Sequence, residues 1–216
     1  EKTISPTAEP AIKKEKKAVH STQGMVVSAR EEASKIGIQI LEQGGNAFDA
    51  MIAVQMALAV SFPNAGNLAG GGFMVYRTEF GETGSLNFRE KAPLAATRDM
   101  FLDEDGNFIT TKSKEGALAV GVPGTVEGIF AVHEKFGSLP MEILLQPVID
   151  LAKTGFIITE QQSARFEKHK EAIERINGDS SIFTKTYQAG DVFKNPSLAK
   201  TLERISTNGK SEFYKG

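Results

Sequence analysis

From Met51 to Val60 the chain reads Met51, Ile52, Ala53, Val54, Gln55, Met56, Ala57, Leu58, Ala59, Val60, with Gln55 its one polar side chain. A surface helix shows an apolar stripe on one side and polar residues on the other, and this stretch does not. It is also too short to cross a bilayer, which takes about 20 apolar residues. The pattern predicts a helix over Ala47–Ser61, buried on most sides within a layered fold. Asn46 has the side chain of an N-cap and Pro63 closes the other end. The alanines are small enough to let such a helix lie close to a sheet. The expected sheet contains Phe73–Tyr76 and Leu86–Arg89.

Neighbouring segments fill in the layers. Gly24 to Ala29 reads as a short β-like run. Ala33, Ile36, Ile40 and Leu41 recur at helical spacing, so a helix is expected to about Gln43, where Gly44-Gly45 stops it. Phe73–Tyr76 and Ser85–Arg89, separated by Gly81 and Gly84, read as an antiparallel hairpin. Ala95–Met100 reads as a short turn or helix, and Asp103–Asn107 as a polar turn. Further helices are expected near Val126–Phe136, Pro140–Lys153, Glu160–Ile176 and Ser197–Ser206. The strand–helix–strand alternation of a doubly wound sheet is missing, so the expected class is α+β or a layered α/β/α arrangement. Residues 1–22 are polar, with Pro6, Pro10 and a basic run over Lys13–Lys17, and read as a disordered leader. Residues 23–216 read as the folded portion.

Composition narrows the chemistry. There are no cysteines, which excludes disulfides and thiolate catalysis. His20, His133 and His169 stand far apart without ligand spacing, so no metal is expected. A net charge of −2 gives no reason to expect nucleic acid or an anionic membrane as partner. Gly70-Gly71-Gly72 invites a phosphate-loop reading. It lacks a following Lys-Ser/Thr and leads into a strand rather than a helix, so a tight turn with close backbone approach is expected instead. No Gly-x-Ser-x-Gly or Ser-x-x-Lys pattern marks a nucleophile. Arg89 closes the second hairpin strand in Asn87-Phe88-Arg89-Glu90-Lys91-Ala92-Pro93. Its planar paired donors match a carboxylate, so it suits an acidic substrate, but an ion pair with Glu90 is the plainer reading of residue type and spacing. Arg98 and Asp99 read as structural.

Five stretches in order resemble the gamma-glutamyltranspeptidase family. They are Leu41–Ala50, Asn67–Met74, Phe88–Pro93, Ala96–Phe101 and Gly121–Val126. The resemblance extends from about Gly24 to Gly216. It implies an N-terminal-nucleophile hydrolase fold, an αββα sandwich of which only the N-terminal part is expected here. It implies a precursor that cleaves itself into two subunits, and a new N-terminal threonine on the small subunit that attacks a gamma-glutamyl amide, with its own amine as base. Glutathione is the usual donor of the family, amino acids, peptides or water are the acceptors, and no cofactor is implied. Arg89 matches the arginine that binds the donor's alpha-carboxylate. Asn46, Asp49 and the glycine loop match positions that shape the fold near the site. The threonine and the other glutamate-binding residues are expected beyond Gly216, which leaves the chain inactive alone. The family also implies a periplasmic or secreted protein. Other readings are a related amidase, of the poly-gamma-glutamate depolymerase or cephalosporin acylase type, and a noncatalytic binding module.

Overall fold

The computed structural model describes residues 18–216. The leader expected over 1–22 therefore falls mostly outside the described residues; residues 18–22 are exposed and without regular structure.

Helix α1 spans Glu31–Glu42 and ends on two glycines. Gly44, at φ 90°, enters the left-handed region, its N–H donates to the carbonyl of Leu41, and the N–H of Gly45 donates to that of Ile40. These two bonds fill carbonyls that the last turn would leave open. Helix α2 spans Ala47–Ser61, as the apolar run predicts. Asn46 caps it by accepting from the N–H groups of Phe48 and Asp49, while Asp49 accepts in return from the N–H of Asn46.

Burial surrounds α2. Ile52, Ala53, Met56 and Ala57 are fully buried. Its neighbours are α1, α5 (Met141–Thr154) and α4 (Thr125–Phe136), and α7 (Pro196–Asn208) lies on the far side of α5. Leu144, Leu145 and Val148 of α5, Val126 and Ile129 of α4, and Leu202 of α7 complete one core. Each such side chain contributes about 1.5–3 kcal/mol by leaving water. The expectation that α2 packs on a sheet is corrected here, because its broad faces meet helices. Strands β1 (Phe73–Arg77) and β2 (Thr83–Asn87) form the expected antiparallel hairpin, with Phe73 opposite Asn87 and Arg77 opposite Thr83. The hairpin reaches the core through Met74 and Leu86, and meets the start of α2 where Tyr76 stands edge-on to Phe48 at 5.7 Å. Two strands of five residues each present too small an inner face to cover a helix of fifteen. The outer face is open: Phe73 is 65% and Val75 85% exposed.

Several elements differ from the expectation. Residues 24–28 form no strand, because no partner strand lies beside them among the described residues. Ala95–Met100, expected as a short turn or helix, forms turns. Helix α3 (Thr110–Lys114) and helix α8 (Lys210–Lys215) are additional. Helix α6 (Glu160–Asn177) covers a second, aromatic core in which Phe156, Phe166 and Phe193 are buried. Two-residue strands β3 (Phe156–Ile157) and β4 (Val192–Phe193) pair across it. No helix among the described residues is long and apolar enough to cross a membrane.

Candidate functional site

Three segments that are distant in sequence meet at the end of the hairpin. The ladder extends one pair past the strands: the N–H of Phe88 donates to the carbonyl of Gly72 at 3.0 Å, and the N–H of Gly72 to that of Phe88 at 3.3 Å. Arg89 is the next residue, so it lies two positions beyond β2 rather than within it. The backbone then pairs again, because Lys91 exchanges hydrogen bonds of 3.1 and 2.8 Å with Val122. Arg89 is thus held between two backbone anchors.

Glycines make the approach possible. A Cβ on Gly71 would stand 2.6 Å from the carbonyl oxygen of Phe88, and one on Gly124 would collide with that same oxygen. The Phe88 ring lies between Gly72 and Gly128, where a side chain at either position would enter it. The carbonyl of Gly70 accepts from the N–H groups of both Gly124 and Thr125, at 2.8 and 2.9 Å, and Thr125 Oγ1 donates to Asn67 Oδ1 at 3.1 Å. The first N–H groups of α4 are therefore turned to the glycine loop itself and not to a phosphate, consistent with the tight-turn reading.

The Arg89 side chain is 62% exposed. Its Nε donates to Glu90 Oε2 at 3.1 Å, and its guanidinium lies 5.7 Å from the centre of the Phe73 ring. The Glu90 carboxyl sits below the usual carboxylate range, first because of its own backbone N–H and then because of Arg89. The plainer ion pair is thus present. It uses one nitrogen, and the two terminal nitrogens have no partner among the described residues. Arg89 lines a cavity of about 430 Å³ together with, among others, Lys91, Pro123, Gly124, Glu127 and Tyr214. Such a cavity, with a guanidinium on a fixed backbone, suits a small carboxylate ligand.

Asn46 and Asp49, by contrast, serve the fold. Asp49 is fully buried and accepts from Ser138 Oγ at 2.5 Å, from the N–H of Ser138 at 3.1 Å and from the N–H of Asn46 at 2.9 Å. Asn46 Nδ2 donates to the carbonyl of Phe136 at 2.7 Å. Together they join the start of α2 to the end of α4. Arg98 Nε stands 3.8 Å from Asp99 in an exposed pair away from the cavity.

Sequence reasoning missed Tyr214. Its hydroxyl donates to the carbonyl of Pro123 at 2.9 Å and accepts from the N–H of Glu127 at 3.1 Å. Burial raises its phenol above the ordinary value. A lone tyrosine near the end of the sequence carries no local signal of this. Gly124, the residue before α4, and Gly128, in its first turn, are a signal of close packing there: the Phe88 carbonyl meets the first and the Phe88 ring the second.

A sequence profile described as Gamma-glutamyltranspeptidase matches residues 33–216. The chain is 44% identical over 202 residues to the glutathione hydrolase proenzyme of Escherichia coli, covering 92% of this chain and 35% of that protein. It superposes on the crystal structure of Helicobacter pylori gamma-glutamyltranspeptidase with a TM-score of 0.88 and 42% identity, covering 93% of this chain and 58% of that one. Cephalosporin acylase from Bacillus halodurans matches with a TM-score of 0.75 at 22% identity, over 95% of this chain and 41% of that one, a likeness of fold alone. The fold class is α+β, that of the N-terminal-nucleophile hydrolases. The chain belongs to the gamma-glutamyltranspeptidase family. It spans about a third of the length of the curated relatives it matches.

Proposed function

We propose that the intact protein transfers a gamma-glutamyl group from glutathione or a related gamma-glutamyl amide to an amino acid, a peptide or water. A threonine outside this chain attacks the gamma-carbonyl, its proton passing to its own amine. The amide bond breaks and the leaving amine takes up the proton, which leaves the glutamyl group as an ester on the threonine. The acceptor amine or water then attacks the ester carbonyl, the ester bond breaks, and the acceptor's proton returns to the threonine oxygen. The threonine would lie on a small subunit cut from the same precursor. The protein is read as periplasmic or secreted, in line with the family resemblance.

This chain's part is donor binding. The supporting observation is Arg89, held between the Gly72–Phe88 and Lys91–Val122 backbone pairs with two guanidinium nitrogens directed to no protein group among the described residues. Two parallel charge-assisted bonds to the donor's alpha-carboxylate would orient the gamma-carbonyl. The higher identity to a glutathione hydrolase, 44% against 22% for the cephalosporin acylase, favours the glutamyl donor.

The test is kinetic, in the full-length processed protein with a gamma-glutamyl anilide. Arg89→Ala is expected to lower kcat/KM by about 2–5 kcal/mol, the range for truncating one partner of a desolvated charge pair. Arg89→Lys keeps the charge, loses the fork and falls between. A fully processed Arg89→Ala protein with unchanged kcat/KM would return Arg89 to its ion pair with Glu90. A precursor that stays uncleaved and inert would favour a binding module.

A further inference from the structure

Helix α8 carries six residues and buries no side chain fully, yet Tyr214 on it makes two hydrogen bonds to the start of α4. The carbonyl it grips belongs to Pro123. Val122, just before, is paired in both directions with Lys91, two residues after Arg89. Gly124, just after, is pressed against the carbonyl oxygens of Phe88 and Arg89. The hydroxyl therefore holds the Pro123 carbonyl, between the pairing of Val122 with Lys91 and the approach of Gly124 to Phe88 and Arg89. Tyr214 also lines the same cavity as Arg89. A second tie joins α8 to α4 farther out, where Lys210 Nζ meets Glu127 Oε1 at 2.5 Å between exposed side chains.

We infer that Tyr214 is a positioning residue for Arg89: its hydroxyl holds the Val122–Gly124 turn in the place that presents the guanidinium to a donor carboxylate. This rests on the donor-binding reading of Arg89 and adds a residue that fixes it. Two geometric facts distinguish it from ordinary packing. The hydroxyl satisfies both a carbonyl and an N–H from one position, which ties the residue before α4 to its first turn. Its ring packs against the edge of the main core, while its hydroxyl bonds go to the Pro123 carbonyl and the first turn of α4, next to the backbone of Arg89. Loss of the hydroxyl frees the turn to shift without opening the core.

The experiment uses the full-length processed protein and a gamma-glutamyl anilide. Tyr214→Phe keeps the ring and removes the two bonds. It is expected to raise KM by about threefold to tenfold, the loss expected for a hydrogen bond or two. With kcat nearly unchanged, that signature marks binding lost equally from ground and transition states. In an Arg89→Lys background, the same change is expected to raise KM by less, because the two residues act on one contact. Lys210→Gln removes the outer tie but leaves the hydroxyl in place, and is expected to keep KM near that of the parent. Unchanged KM in Tyr214→Phe, with Arg89→Ala impaired, overturns the inference and leaves the donor-binding reading standing. An equal rise in KM in Lys210→Gln also overturns it, by assigning the effect to general loosening of α8. Unimpaired Arg89→Ala would instead remove the reading on which the inference rests.

Discussion

Asp49 and Arg89 are both charged residues in the matched motifs, and they are used in opposite ways. Asp49 has no exposed surface and takes three hydrogen bonds from Ser138 and Asn46. Its charge is consumed by the fold. Arg89 has a fixed backbone and an open side chain that lines a cavity, with one nitrogen paired to Glu90 and two without a partner among the described residues. A charged group whose bonding capacity is filled internally has nothing left to offer a ligand. One held at its root and open at its tip does.

That contrast can be broken. The largest expected effect is a double dissociation in the full-length processed protein. Arg89→Ala should lose about 2–5 kcal/mol in kcat/KM while its melting temperature stays near that of the parent, since an exposed pair with Glu90 is worth little. Asp49→Ala should do the reverse. Removing the buried carboxylate strands the Ser138 and Asn46 donors, at a cost of about 3 kcal/mol in unfolding free energy, read from urea denaturation. The protein that remains folded should keep a normal KM. A raised KM in folded Asp49→Ala would mean that the α2–α4 corner also shapes the donor site.

Gly124→Ala falls between the two regions. Its φ of −111° and ψ of −18° are open to alanine, so the backbone conformation is no obstacle. The obstacle is the carbonyl oxygen of Phe88. The expected cost is about 1–3 kcal/mol from overpacking, together with a raised KM, because what must move carries Arg89. Lost stability with an unaltered KM would show that the support under Arg89 gives way elsewhere. The smallest effect is expected at Asn46→Ala. Loss of the α2 cap should cost about 1 kcal/mol in a denaturation midpoint, with kinetics unchanged.

The helices were legible because their signals are local. The boundaries of α2 follow from Asn46 before it and Pro63 after it, and the end of α1 from Gly44-Gly45. The hairpin was legible from two β-like runs around glycines. The sheet expected beside α2 was not found there, because an apolar run says that a helix is buried and not what buries it. Strands β3 and β4 left no mark, since two residues cannot show a period and pair across more than thirty residues. At the site, residue chemistry singled out Arg89, but spacing alone favoured the pair with Glu90, and that pair is indeed formed. The choice between the two readings needs the nitrogens without a partner among the described residues and the cavity that Arg89 lines.

The sequence by itself determined where the chain turns, which segments coil, that Ala47–Ser61 would be enclosed, and which arginine had the right chemistry. Each of those depends on neighbours within a few residues. Only the tertiary structure brought Gly70, Phe88, Arg89, Gly124 and Tyr214 together, from segments as far apart as 144 residues by their numbers, 70 to 214. The joining forces there are backbone hydrogen bonds and close approaches over glycines. Backbone groups are the same at every residue, and a glycine's contribution is the space where a side chain is absent. Neither leaves a pattern along the chain that says which distant segment will fill the space.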